Sequence, residues 1–188
     1  MSEDTGVTVQ GPSLDGKRVI LAVSGGIAAT ESIKLARELR RHGATVFPMM
    51  SNSAEKVISP LALSWGSGVE VITKWDPEMS QLDDFDGLIL APATRNTIAK
   101  FTHGILDSPL MMALSAASGQ GIPMLFVPSM HNDLFHDAVT SDLLTSLEEL
   151  GVKVLIEEPS EGRRKQPSAT KIVAQYCNMT NSRLEKRK

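Results

Sequence analysis

Lys17-Arg18-Val19-Ile20-Leu21-Ala22-Val23-Ser24-Gly25-Gly26-Ile27-Ala28-Ala29 is the stretch on which the fold turns. Its first seven residues, two basic residues followed by the apolar, largely β-branched run Val19 to Val23, read as a buried strand over 17–23. Six small or apolar residues follow, and then 30–42 sets Ile33, Ala36, Leu39 and Arg40 at helical spacing before Gly43 stops the helix. A second run, 44–50 (ATVFPMM), is the next strand. In a strand–loop–helix–strand unit of this kind, small loop residues let a ligand approach the backbone, and the helix that follows turns free N–H groups toward an anion. A plain tight turn is the other reading of the same loop.

Outward from this unit the alternation continues. Strands are expected over 69–72, 87–91, 124–128 and 152–156, and helices over 53–59, 94–101, 109–118 and 138–150, the last closed by Gly151. Strands alternating with helices call for a parallel sheet covered on both faces, because parallel neighbours need crossovers and the crossover helices must bury their apolar sides. The expected architecture is a single three-layer, doubly wound α/β domain over 16–180, with a flexible tail at 1–15 and a basic tail at 181–188.

A chain of 188 residues has room for one such core. Its composition, 41% hydrophobic and 22% charged, with mean hydropathy −0.05, is that of a globular protein. Aromatic residues make up only 4% against nine Met, and the net charge is −3, so neither base stacking nor phosphate neutralisation is provided and nucleic acid is not the expected partner. The single Cys177 excludes an internal disulfide and a cysteine metal cluster. The acidic, polar start is no signal peptide, and the uncharged stretch 108–130 is broken by Pro109, Gly119, Gly121, Pro123 and Pro128, which reads as helix, turn and strand rather than a membrane span. The expected compartment is the cytoplasm.

In open parallel sheets ligands bind beyond the carboxyl ends of the strands. After the first strand comes Ser24-Gly25-Gly26-Ile27, which is neither GxGxxG nor a P-loop. The second strand ends in Ser51-Asn52-Ser53, without the acidic residue that holds a dinucleotide's ribose, so the two loops favour a mononucleotide over NAD. After the fourth strand, Thr94, Arg95, Asn96 and Thr97 open a helix with a row of donors; after the fifth, Met130 and His131 sit in a proline-bounded loop suited to covering a ring.

With these loops on the page, the sequence resembles the flavoproteins related to phosphopantothenoylcysteine decarboxylase and the lantibiotic peptidyl-cysteine decarboxylases. SGGIAA is similar to that family's G-[GS]-I-A-A loop, SNSAEKVI to T-x-S-A-x-x-F-[IV], APATRNTIAK to A-P-x-[ST]-A-N-T-[IL]-[AG]-K, PSMHNDLF to P-x-M-N-x-x-M-[WY], and Gly104 to Ser108 to G-[IL]-x-D-[NS]. The resemblance runs from residue 16 to about 155. It implies a Rossmann-like, flavodoxin-type fold with FMN held between subunits of a homo-oligomer, a trimer often built into a dodecamer. Carried over, Ser24, Gly25, Gly26 and Ile27 line the FMN, Ser51 and Ser53 serve its phosphate, Thr94, Arg95, Asn96 and Thr97 meet its ribityl or ring region, and Met130 completes the set; no pair of histidines has metal-ligand spacing, so no metal is expected.

Three substrate-side features depart from the pattern. The family's histidine before A-P-x-[ST]-A-N-T is missing from 78–85, its Asn after P-x-M is His131, and the Gly-rich, Cys-bearing flap is replaced at 158–166 by Glu-Pro-Ser-Glu-Gly-Arg-Arg-Lys-Gln. Flavin-side motifs kept and substrate-side motifs lost lead to the expectation of an FMN-dependent reductase or electron carrier acting on a small organic acceptor, similar to dihydromethanopterin reductases. The alternative is a phosphopantothenoylcysteine-type decarboxylase with a non-standard catalytic residue, and a third reading is a binding subunit without catalysis. His131 is the candidate proton donor, imidazole being the side chain that exchanges protons near neutral pH; packing or an oligomer contact is its other reading. His42 reads as a helix C-terminal dipole partner, His103 and His136 as loop residues, Asp83, Asp84 and Asp86 as a solvated turn, and Arg163, Arg164 and Lys165 as a basic loop.

Overall fold

A computed structural model describes residues 6–11, 13–75, 84–158 and 163–185, with the side chains of 163, 164 and 181–185 left aside. The elements run β1 (Arg18–Val23), a 3-10 turn (Ile27–Glu31), α1 (Ser32–Arg41), β2 (Thr45–Met50), α2 (Pro60–Ser67), β3 (Gly87–Ala93), α3 (Arg95–Thr102), α4 (Pro109–Gly119), β4 (Met124–Pro128), β5 (Met130–His131), α5 (Asn132–Phe135), α6 (Ala138–Glu149), β6 (Lys153–Val154), β7 (Arg163–Arg164) and α7 (Ala169–Glu185). Five strands form one sheet in the order β2-β1-β3-β4-β6, every pair parallel. This is the doubly wound order of flavodoxin-like, Rossmann-type sheets, as expected.

The alternation of side chains along each strand makes the layers. Val19, Leu21, Val23, Val46, Ile89 and Leu125 pack on one face with α1, α2 and α7, whereas Ile20, Ala22, Leu88, Leu90, Met124 and Phe126 pack on the other with α3, α4 and α6. β2 lies on one side of β1 and β3 on the other, so the crossovers diverge between β1 and β3. Loops leaving those two strands open a crevice at their carboxyl ends.

Several elements differ from expectation. The helix expected over 53–59 is a run of turns, and the helix is α2 instead. Pro60 drives Ser59 out of the helical region to ψ 145°, Ser59 then caps the helix by accepting from Ala62 N at 3.1 Å, and Gly68, at φ +77°, ends it. The strand expected over 69–72 is reduced to one bridge, Met49 with Ile72, and 152–156 to the two residues of β6.

The expected flexible tail at 1–15 is tied down across 10–14. Gln10 N and Gly11 N donate to the exposed Arg41 carbonyl at the end of α1, Leu14 N donates to His42 O, and Leu14 is buried. At the other end α7 extends beyond the elements read from the sequence and into the expected basic tail. Ile172, Val173, Tyr176 and Cys177 sit one turn apart on a single buried face, which packs beside α1.

Candidate functional site

A cavity of about 370 Å³ opens at the carboxyl ends of β1, β2 and β3. The loop after β1 supplies Gly25, and the loop after β2 supplies Ser51, Asn52 and Ser53. Gly25 is required sterically: a Cβ there would stand 2.1 Å from Ser53 Cβ and 2.8 Å from its carbonyl carbon. The two loops therefore touch, and the wall they form is backbone and hydroxyl. Ser51 N donates to Val23 O at 3.0 Å, which pins the second loop to the end of β1.

Ser24 fastens the first loop to the β3–α3 turn. Its buried hydroxyl donates to Pro92 O at 2.7 Å, accepts from Thr94 N at 2.8 Å and lies 3.1 Å from Thr94 Oγ1. Thr94 Oγ1 is in turn 3.0 Å from Thr97 Oγ1. With these hydroxyls engaged, no side chain caps α3, and its first-turn N–H groups are left to a ligand. Thr94, Asn96 and Thr97 line the cavity.

The far wall comes from α3 and the turn into α4. Lys100 and Asp107 form an ion pair there, which compensates the one carboxylate among the described lining residues. Ser108 caps α4, accepting from Met111 N, and buried Leu110 and Met111 give the cavity its apolar side. The arrangement offers hydroxyl, amide and helix N–H donors at one end and aliphatic surface at the other.

Of the residues expected at the site, Gly25, Ser51, Ser53, Thr94, Asn96 and Thr97 are brought together around this cavity. Ser24 lies behind its wall as a cross-link. Gly26 and the exposed Ile27 lie beside it, and a Cβ on Gly26 would meet only Thr94 Cγ2 at 3.5 Å. Arg95 turns to Asp137, with Nη2 2.6 Å from Oδ2. Met130 packs on the second core layer, and His131, half exposed, has Nδ1 3.2 Å from Asp133 Oδ2 and accepts weakly from Asp133 N. Both belong to β5, which pairs antiparallel with β7.

Asn52, Lys100, Asp107, Ser108, Leu110 and Met111 join the lining beyond the expected set. Asp107 and Ser108 carry a signal in the sequence, the G-[IL]-x-D-[NS] pattern, whereas Leu110 and Met111 look like any apolar helix start. Residues 78–83, where the histidine is missing, and 159–162 of the flap lie outside the described residues, as does Asp83. Asp86 is no loose turn residue: Oδ1 takes Lys17 Nζ and Oδ2 takes Arg18 N, both at 2.8 Å. Burial opposes ionisation of this carboxyl, but the two hydrogen bonds and the neighbouring cations together hold it below the usual carboxylate range. His42 stands at the C-cap of α1, with Nδ1 2.7 Å from Ser13 Oγ.

The flavoprotein family model matches residues 9–181. A coenzyme A biosynthesis bifunctional protein CoaBC of Thermococcus kodakarensis is 35% identical over 167 residues, covering 85% of this chain and 41% of that protein. The chain thus spans about two fifths of the length of such bifunctional relatives. A probable phosphopantothenoylcysteine decarboxylase of Streptococcus mutans is 30% identical over 145 residues, 73% of this chain and 80% of the relative. Among solved structures, the FMN-dependent cysteine decarboxylase SpaF superposes with a TM-score of 0.78 at 20% identity, over 89% of this chain and 99% of that one.

These relatives overturn the expectation of a reductase or electron carrier similar to dihydromethanopterin reductases, and with it the ranking of oxidoreductase over decarboxylase. The physical reason lies in how the site is built: its walls come from separate loops, so the departure of a few side chains on one of them leaves the rest of the architecture unchanged. Architecture, motifs and relatives agree that the chain belongs to the flavoprotein family.

Proposed function

We propose that this chain binds FMN in the cavity between β1 and β3 and decarboxylates a cysteinyl substrate of the phosphopantothenoylcysteine type. The observation that carries the reading is the cavity itself, found at the switch point of a chain 30% identical to a probable phosphopantothenoylcysteine decarboxylase and 35% identical to a coenzyme A biosynthesis bifunctional protein. The residues present suit a flavin mononucleotide. The Gly25–Ser53 approach makes a cradle that any larger side chain would fill, the donors of Ser51, Asn52 and Ser53 suit a phosphate, and no acidic residue at the end of β2 opposes it. Thr94, Asn96 and Thr97 would hold the ribityl chain, and Leu110 and Met111 the ring.

When bound, FMN would supply a reversible two-electron acceptor: oxidation of the thiol-bearing carbon would let the carboxylate on the adjacent carbon leave as carbon dioxide, and the electron pair would return to the product. The chain's own residues bind, orient and handle protons. The Ser24 cross-link keeps the two cofactor loops in register, and Lys100 cancels Asp107 within the wall. His131 takes the proton-transfer role at the substrate, with its Nδ1 accepting from Asp133 N, which leaves the proton of the neutral ring on Nε2.

A trimer in which a second copy completes the site would cover exposed apolar residues. Ile27 is 72% exposed next to the cavity, and Leu61 and Trp65, one turn apart on α2, are 68% and 77% exposed. Light scattering is expected to give a multiple of three chains.

The test of function is carbon dioxide release from phosphopantothenoylcysteine by the FMN-loaded protein. His131→Ala is expected to lower it about a hundredfold without loss of bound flavin, in keeping with general acid–base catalysis. Flavin bound in full with no carbon dioxide from any cysteinyl compound would sink the reading.

A further inference from the structure

We infer that Arg95 is a positioning residue: through Asp137 it holds the segment that carries His131 against the β3–α3 turn, and it makes no contact with the cofactor. The reaction it serves rests on the decarboxylase reading above.

Residues 129–137 leave the sheet after β4 and rejoin the fold at the start of α6. Both ends of the segment are fastened to one turn. Ser129 N donates to Ala93 O at 3.3 Å, and two residues further along that turn the Arg95 guanidinium meets the Asp137 carboxylate at 2.6 Å. Between the two anchors, β5 pairs with β7 and Met130 packs on the second core layer. α5 is four residues long and buries none of them, and its inward tie is the Thr140 hydroxyl on Leu134 O. α5, which buries no residue, opens more readily when the ends of the segment are released.

An exposed ion pair often contributes little, because two long side chains must be ordered in water. This pair differs in two respects. Both side chains are partly buried, at 27% and 37% exposed, and Asp137 is already oriented. As the N-cap of α6 it accepts from Val139 N on Oδ1, at 3.2 Å, and turns Oδ2 to Arg95. Arg95 also stands where the quoted motif, A-P-x-[ST]-A-N-T, has alanine, which cannot reach Asp137. The residues flanking it, Thr94 and Asn96, line the cavity. A displacement of the cofactor turn is thereby passed to His131.

The test compares FMN-loaded wild type with Arg95→Ala, with Asp137→Asn, which keeps a good N-cap but loses the charge, and with Arg95→Lys. Bound flavin per chain is read from absorbance, mobility of 130–136 from amide hydrogen exchange, and turnover with phosphopantothenoylcysteine. Expected for Arg95→Ala and Asp137→Asn are full flavin, exchange about tenfold faster in 130–136 alone, and kcat about tenfold lower with a nearly unchanged KM. Arg95→Lys should restore most of both. Loss of flavin in Arg95→Ala alone would make Arg95 a cofactor contact and overturn the inference, as would unchanged exchange in both variants. If wild type releases no carbon dioxide, the function fails, while flavin content and exchange still decide the role of Arg95.

Discussion

Gly25 shows how one residue sets a site. Its backbone conformation is not what demands glycine; the demand comes from Ser53, whose Cβ lies where an alanine methyl would have to go, 2.1 Å away. Neither loop can retreat freely, because Ser51 N is bonded to Val23 O and Ser24 to Pro92 and Thr94. Gly25→Ala is therefore expected to cost about 1–3 kcal/mol in denaturant unfolding, the range for overpacking. The same change should weaken FMN binding, followed by quenching of flavin fluorescence, by about tenfold or more, since close backbone approach is lost. The small-residue loop is legible in the sequence. Its contact with a serine 28 positions away is not.

At the scale of elements, α7 is the largest structural surprise. It seals one face of the sheet with Ile172, Val173 and Tyr176, and Tyr176 reaches across to the start of β3, where its hydroxyl occupies the place a Gly87 side chain would need. That hydroxyl is buried with no hydrogen-bond partner among the described residues, and burial, aided by the Asp86 charge, keeps it un-ionised far above the ordinary tyrosine range. An orphan buried donor is unfavourable, whereas the ring is valuable packing. Tyr176→Phe should thus leave stability unchanged or raise it by about 1 kcal/mol, and Tyr176→Ala should lower it by about 3–5 kcal/mol. Chemical denaturation of both variants checks this; a clear loss in Tyr176→Phe would show that the hydroxyl has a partner.

For the molecule as a whole, the two ends of the sheet have separate tasks. The carboxyl end carries the candidate site; the amino end is built by Leu14, α7 and the Lys17–Asp86 pair, which line a second cavity of about 230 Å³. Because the folded state holds the Asp86 carboxyl below its unfolded value, its contribution to stability is complete above the ordinary carboxylate range and is lost as pH falls through the folded value. Asp86→Asn should therefore lower the melting temperature at pH 7 and narrow the fall between pH 7 and pH 3. An unchanged acid slope would count against this assignment. The residues from Lys17 to Ala29 and the alternation after them already determine a doubly wound sheet with a small-residue loop after its first strand. Both follow from local spacing: runs of apolar residues, glycines and helix caps. Tertiary structure alone decided that Arg95 pairs with Asp137, that Ser24 is a cross-link, and that Lys100, Asp107 and Met111 line one cavity with Gly25. Those roles depend on where a side chain's partner arrives from elsewhere in the chain, and spacing along the sequence carries no information about that.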